Sequence, residues 1–172
     1  MIITAGIYKG RKITAPDENV TRPTLSKTRM GIFNTLYSVI GDFEGKTFLD
    51  VFGGSGIMGL EALSRGFKEV KVFELNRRSA DIIKKNYSSV GLKANLTVGD
   101  SLKLLSKSEE VFDVVYVDPP YQSGIYEKVL KLIIGGIVIV EYAGDVDFTG
   151  FNILKQKAYG STKVAYLSQK SE

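Results

Sequence analysis

The segment Phe52-Gly53-Gly54-Ser55-Gly56-Ile57-Met58-Gly59 indicates how this chain folds. It follows an apolar run, 47–52, that predicts a β-strand, and it leads into an apolar stretch that predicts a helix over 57–65. Residues 54–59 match the pattern G-x-G-x-x-G, whose glycines permit a tight turn and let a ligand approach the backbone. The segment therefore predicts the first strand–turn–helix unit of an α/β fold, with a ligand site at the turn.

The rest of the chain alternates between strand and helix patterns with short connections. The predicted helices are 26–40, 57–65, 77–90, 101–106 and 125–134, and the predicted strands are 47–52, 69–75, 94–98, 112–117, 137–141, 151–158 and 163–168. This order predicts a mostly parallel, seven-stranded sheet with helices on both faces and an antiparallel hairpin at one edge. Residues 1–14 predict a further short β-hairpin that turns at Lys9-Gly10. Ser26 is the expected N-cap of the first helix, and Gly41 its expected end.

Composition excludes several classes of function. The 172 residues are 44% apolar and 24% charged, as in an ordinary soluble domain. The chain has no cysteine and no histidine, which rules out Ser-His and Cys-His catalysis, and we expect no metal site. No apolar run approaches the roughly 20 residues of a membrane span, and the start lacks the pattern of a signal peptide. We therefore expect a cytoplasmic protein.

The positive charge is concentrated at the N-terminus. Residues 1–30 contain six basic and two acidic side chains, and this excess accounts for the whole net charge of +4. Clustered positive charge is typical of proteins that bind nucleic acid. We therefore expect a basic hairpin and loop over 1–25 that contacts nucleic acid, followed by the α/β domain over 26–172. The candidate contacts are Lys9, Arg11, Lys12, Arg22 and Arg29, although Arg22 and Arg29 could instead be surface or ion-pair residues.

Acidic residues stand at four predicted strand ends: Asp50, Glu74, Asp100 and Asp118. In an open α/β sheet, ligands bind beyond these ends, so the four acids predict a lined crevice. Glu74 lies 20 residues after Gly54, where dinucleotide folds place the acid that binds a ribose hydroxyl. NAD and S-adenosylmethionine both fit that acid. Asp50 favours S-adenosylmethionine, because a carboxylate there would repel a pyrophosphate but attract amino and sulfonium groups.

The segment Asp118-Pro119-Pro120-Tyr121 follows the predicted strand 112–117. Two successive prolines have no backbone N–H and cannot continue a sheet, so acceptor carbonyls are left beyond the strand end. A carboxylate, these carbonyls and an aromatic face suit a planar group that carries an exocyclic amine. The segment predicts chemistry on a nucleobase or amide nitrogen.

Taken together, these motifs resemble the class I S-adenosylmethionine-dependent methyltransferases, and among them the bacterial 16S ribosomal RNA guanine-N2 methyltransferases. The resemblance covers most of the chain. It includes the arm with Arg22-Pro23-Thr24, the segment from Phe52 to Gly66, Asp118 to Tyr121, and Tyr159-Gly160. Gly53 stands where that family usually has alanine, a difference expected to be harmless.

The resemblance implies a Rossmann-like methyltransferase fold and a role for each motif residue. Asp118, Pro119, Pro120 and Tyr121 would hold the target guanine. The cofactor S-adenosylmethionine would be held by Asp50, Phe52, Gly53, Gly54, Ser55, Gly56, Glu74, Leu75, Asp100 and Ser101. The implied partner is 16S ribosomal RNA within the 30S subunit or an assembly intermediate, and the implied state is a monomer.

Three alternatives remain open from the sequence. Related Pro-Pro-aromatic motifs occur in methyltransferases that act on adenine N6 or on a protein glutamine amide. A non-catalytic ribosome-assembly module could retain the same fold, although it would not need both Glu74 and Asp118. A dehydrogenase is disfavoured, because Asp118-Pro119-Pro120-Tyr121 has no role in hydride transfer.

Overall fold

The computed structural model describes residues 1–16, 25–120 and 124–172. Strands and helices alternate through most of this range. In chain order they are α1 (Ser26–Ile40), β1 (Thr47–Asp50), α2 (Ile57–Ser64), β2 (Glu69–Glu74), α3 (Arg77–Ser89), β3 (Asn95–Val98), α4 (Ser101–Lys107), β4 (Val114–Val117), α5 (Ile125–Leu132), β5 (Ile137–Tyr142), β6 (Phe151–Tyr159) and β7 (Thr162–Gln169). Every predicted helix and strand from residue 26 onward is present, with boundaries that differ by at most two residues.

The strands form one seven-stranded sheet in the order β3-β2-β1-β4-β5-β7-β6. The first five strands in this order are parallel, and the β6–β7 hairpin adds two antiparallel strands at the β5 edge. The prediction of a mostly parallel sheet with a terminal hairpin is therefore confirmed. The strand order reverses between β1 and β4, which is where ligands bind in folds of this kind.

Two hydrophobic layers cover the sheet. Helices α1, α2 and α3 pack on one face, against alternate strand residues such as Phe48, Val72 and Ile139. Helices α4 and α5 pack on the other face, against the intervening residues such as Leu49 and Val138. Successive side chains of a β-strand point to opposite faces of the sheet. Because helices cover each face, the side chains on both faces of the central strands are buried.

The N-terminal segment, residues 1–16, forms only a short antiparallel pairing within itself. Ile2 and Lys12 form one antiparallel bridge, and the predicted two-residue turn is replaced by a longer one over residues 5–10. The reason is that this turn bonds to the end of α2: the Ile7 N–H donates to the Ser64 carbonyl oxygen at 2.9 Å. Gly6 has φ 82°, and a side chain there would overlap the Ser64 backbone. The segment therefore packs onto the domain rather than standing apart as an arm.

A buried carboxylate, Glu61 on α2, connects this segment to two helices. It accepts hydrogen bonds from the Thr4 N–H at 2.6 Å, from Arg29 Nε at 3.4 Å and from Arg65 Nε at 3.2 Å. Arg29 also donates to the Ile2 carbonyl at 2.5 Å. Burial lowers the pKa of Arg29, and the Glu61 carboxylate opposes that shift. The expected N-cap at Ser26 is wrong: Leu25 occupies the cap position, and the Ser26 hydroxyl accepts from Arg29 instead.

The Glu61 network predicts a large loss of stability when its charge is removed. Glu61→Gln keeps the shape of the side chain but removes the carboxylate charge that pairs with the fully buried Arg29. Removing one partner of a buried ion pair costs about 3–5 kcal/mol, and we expect a loss of that size in urea unfolding. Exposed Glu69→Gln is the control. A loss below about 1 kcal/mol for Glu61→Gln, as for a surface pair, would contradict the role of this network.

Candidate active site

A cavity of about 1440 Å³ opens at the carboxyl ends of the parallel strands. It brings together twelve of the fourteen residues that the sequence singles out for catalysis and cofactor binding. These are Asp50, Phe52, Gly53, Gly54, Ser55, Glu74, Leu75, Asp100, Ser101, Asp118, Pro119 and Pro120. Of the other two, Gly56 belongs to the same turn but packs against Ile83 and Tyr87 of α3. Tyr121 lies outside the described residues.

The glycine-rich turn between β1 and α2 is fixed by Glu74 at the end of β2. One oxygen of the Glu74 carboxylate accepts from the Gly54 N–H at 2.8 Å, and the other accepts from the Asn76 N–H at 2.9 Å. A Cβ at Gly53 would overlap Val72 and come within 2.9 Å of Ile83. Glycine at this position therefore suits the packing of this chain, and it keeps backbone at the cavity wall.

Asp50, the last residue of β1, is the most unusual group in the cavity wall. Its side chain is 1% exposed, and Oδ1 has no hydrogen-bond partner among the described residues. Burial, and next the charge of Glu74, raise the pKa of Asp50 to about 7. Buried polar atoms are normally paired, so an unpaired carboxylate oxygen at a cavity indicates a place for a donor from a ligand. The amino group of S-adenosylmethionine fits that requirement.

Asp100 and Ser101 serve the fold as well as the cavity. The Asp100 carboxylate caps α4 by accepting from the Lys103 N–H at 3.0 Å. The Ser101 hydroxyl donates to the Val51 carbonyl at 2.6 Å and so ties α4 to the end of β1. Leu75, by contrast, is 65% exposed beside Glu74, which leaves an apolar surface for a flat ring. These residues line the part of the cavity next to β2 and β3.

Asp118, Pro119 and Pro120 follow directly after β4, on the other side of β1. Asp118 is half-buried, Pro119 is buried and Pro120 is exposed. A further acid here, Glu141 near the end of β5, was not predicted from the sequence as a site residue. It lines the same cavity and accepts a hydrogen bond from the Tyr116 hydroxyl. The rule that found the other strand-end acids would have found Glu141. The remaining lining residues that were missed include Lys27 on α1 and the β6–β7 turn, 159–162.

The predicted nucleic-acid contacts fall into three groups. Lys9, Arg11 and Lys12 are exposed, and Arg22 lies outside the described residues. Arg29 corrects the expectation: its side chain is 0% exposed and pairs with Glu61, so it offers no atom to an external phosphate. Charge alone could not distinguish Arg29 from the three exposed residues. The alternative that it forms an intramolecular ion pair is confirmed.

Neither a metal-binding cluster nor a membrane-spanning helix occurs among the described residues. Within residues 1–16, 25–120 and 124–172, no group of acidic side chains is arranged to hold a metal ion. In the same ranges, no helix has the length and apolar character needed to cross a membrane.

Comparison with known proteins assigns this chain to a family. The family described as "Conserved hypothetical protein 95" matches residues 1–168, almost the whole chain. The chain belongs to this family of class I methyltransferases. The family membership expected from the motifs is confirmed.

Individual relatives match most of this chain, although the chain spans just under two thirds of the length of the Escherichia coli relative. The chain is 33% identical to "Ribosomal RNA small subunit methyltransferase D" of Escherichia coli strain K12, over 76% of this chain and 65% of that protein. It is 32% identical to YlbH of Bacillus subtilis strain 168, over 96% of this chain and 97% of that protein. The solved structure of yhhF from Escherichia coli has a TM-score of 0.86 at 24% identity, and covers 100% of this chain and 99% of that one, which confirms the fold.

The raised pKa of Asp50 predicts how stability depends on pH. An acid whose folded pKa is about 7, against an ordinary 3.8, favours the folded state when protonated. Its contribution is therefore lost as pH rises from about 4 to 7, by an amount on the order of 4 kcal/mol. We expect Asp50→Asn to remove that part of the pH dependence when urea unfolding is measured from pH 5 to 8. Exposed Asp42→Asn is the control, and parallel pH profiles for wild type and Asp50→Asn would contradict the assignment.

Proposed function

We propose that this protein transfers a methyl group from S-adenosylmethionine to the exocyclic N2 amine of a guanine in 16S ribosomal RNA. We further propose that the RNA is presented within the 30S subunit or an assembly intermediate. The observation that carries the proposal is that Asp118-Pro119-Pro120 lines the same cavity as Asp50, Glu74 and the glycine turn. The name of the Escherichia coli relative supports ribosomal RNA of the small subunit as the substrate class.

The cofactor half of the proposed site lies over β1, β2 and β3. S-adenosylmethionine, when bound, supplies an activated sulfonium methyl group. The Glu74 carboxylate, already oriented by the Gly54 and Asn76 amides, would bind the ribose hydroxyls. Asp50 would bind the amino group, which would supply a donor to Oδ1 that none of the described residues supplies. The exposed side chain of Leu75 and the neighbouring Asp100 would bind the adenine.

The base half of the proposed site lies beyond β4. The N2 amine of guanine is a weak nucleophile, because its lone pair is delocalised into the ring. The Asp118 carboxylate and the Pro119 carbonyl would accept the amine hydrogens and hold the nitrogen in line with the methyl group. Such alignment can supply about 7–11 kcal/mol. Asp118 would also accept the proton released on transfer, an effect of roughly 10²–10⁴-fold.

The target base must leave its stack to enter this site. A nucleotide inside a helix cannot reach the end of β4 in a concave cavity, so we expect the guanine to be unpaired or flipped. Tyr121 is expected from the sequence to stack on it, a contact worth about 1–3 kcal/mol.

The decisive experiment measures methyl transfer from radiolabelled S-adenosylmethionine to four substrates in parallel: 30S particles, naked 16S RNA, duplex DNA and protein. We expect label in 30S or 16S RNA that digests to N2-methylguanosine. Label in DNA or protein alone would overturn the substrate, and label in adenine would favour the N6 alternative. Cofactor binding without any transfer would favour the assembly-module alternative.

Two variants in the same assay separate the halves of the site. Asp118→Asn should lower turnover by about 10²–10⁴-fold while cofactor affinity, measured by calorimetry, stays near that of wild type. Glu74→Gln should weaken cofactor binding first. Unchanged turnover in Asp118→Asn would remove that carboxylate from the mechanism.

The exposed basic residues of the N-terminal segment are proposed to contact RNA phosphates. Replacing Lys9, Arg11 and Lys12 with glutamine should weaken RNA binding and reduce the slope of log K against log salt by up to roughly 3, about one for each lost contact. The matched control replaces Lys103, Lys107 and Lys128, which are exposed on α4 and α5 on the opposite face of the sheet. Equal salt slopes for the two triple variants would contradict the phosphate contacts.

A further inference from the structure

Glu141 lies beside Asp118 at the carboxyl ends of the parallel strands. Strands β4 and β5 are parallel, and Val117 pairs with Val140. The next residue of each strand, Asp118 and Glu141, therefore stands at the same level above neighbouring strands. Both residues line the cavity. The base half of the site thus contains two adjacent carboxylates rather than one.

The Glu141 side chain is held toward the cavity by its neighbours. The hydroxyl of Tyr116, which is 1% exposed, donates to the Glu141 carboxylate from the adjacent strand. Tyr116 belongs to the layer under α1, α2 and α3, so the carboxylate lies on that face of the sheet. The Tyr126 hydroxyl donates to the Glu141 backbone carbonyl at 3.2 Å and fixes the main chain. An ionised carboxylate can accept several hydrogen bonds, so binding the Tyr116 hydroxyl is compatible with binding a donor from a ligand as well.

We propose that Glu141 determines base specificity by accepting the N1–H of the target guanine, next to the N2 amine that Asp118 receives. This inference rests on the proposed function. The Watson–Crick edge of guanine presents two adjacent donors, N1–H and N2–H, which match two adjacent carboxylates. Adenine presents its N6 amine next to N1, which is an acceptor. A carboxylate facing that acceptor loses its hydrogen bond and is repelled, so the pair of acids selects against adenine.

A purely structural role for Glu141 makes a different prediction. If Glu141 only held Tyr116 in place, its loss would slow the reaction of every base equally. If it reads N1–H, its loss would change the preference between bases that differ at N1. The nucleoside of 2-aminopurine provides that comparison, because it keeps the N2 amine but has an acceptor at N1. It also lacks the O6 carbonyl, so the change in preference caused by Glu141→Gln, and not the wild-type preference alone, isolates the contact to N1.

The experiment uses full-length enzyme and 16S RNA, assembled into particles where transfer requires them. The guanosine that becomes labelled is replaced, by ligation of a synthetic segment, with the riboside of 2-aminopurine. We expect wild type to prefer guanine by about 10–100-fold in kcat/KM, as for a lost specific base contact. In Glu141→Gln the amide can donate to N1 as well as accept, so the preference should fall by about tenfold or more. Tyr116→Phe is the matched variant that removes the supporting hydroxyl and keeps the carboxylate.

The outcomes separate this inference from the proposed function. Equal use of both bases by wild type overturns the inference without any variant, so it can be tested even if Glu141→Gln folds poorly. A parallel loss on both bases in Glu141→Gln, equal to that in Tyr116→Phe, also overturns it and leaves a structural role. If Glu141→Gln methylates guanine with an unchanged preference over 2-aminopurine, the inference is overturned and the proposed function stands. An absence of transfer to any RNA overturns the proposed function, and this inference with it.

Discussion

The alternation of side chains along parallel strands determines which residues can meet at the carboxyl ends of these strands. Asp50, Glu74 and Glu141 each stand two residues after a strand residue that packs under α1, α2 and α3. Each acid therefore faces the same layer as those helices. Because β2, β1, β4 and β5 are neighbours in the sheet, the acids gather around one cavity. A register shift of one residue in any of these strands would move its acid to the opposite layer and dismantle the site.

The strand order divides the cavity into two parts that are also separate in sequence. β1 pairs with β2 on one side and with β4 on the other. The glycine turn and Glu74 come from the first half of the chain, whereas Asp118 and Glu141 come from the second. The two groups meet only because the order reverses at β1. A reaction between two bound molecules needs such an arrangement, since each half can bind one reactant and the rigid sheet sets the distance between them.

The sequence predicted the elements from residue 26 onward, because hydrophobic periodicity and glycine positions report local structure directly. It also predicted twelve of the residues that line the cavity, since acids at strand ends and a glycine turn are local signals. Long-range contacts account for the failures. The turn over residues 5–10 depends on the Ser64 carbonyl, and the burial of Arg29 depends on Glu61. Neither partner can be identified from local pattern. Lys27 reaches the cavity only through the packing of α1 against the sheet.

Two buried carboxylates, Glu61 in the core and Asp50 at the cavity, differ in how fully they are hydrogen-bonded. Glu61 is surrounded by donors: two arginines and the Thr4 amide bind it, and it joins the N-terminal segment to α1 and α2. Asp50 is equally buried, yet its Oδ1 has no partner among the described residues, and its pKa rises to about 7. Glu61 shows that this fold can supply donors to a buried carboxylate, yet none of the described residues donates to Asp50 Oδ1. This oxygen is instead consistent with a donor supplied by a ligand, so that cofactor binding would offset the cost of burying the carboxylate.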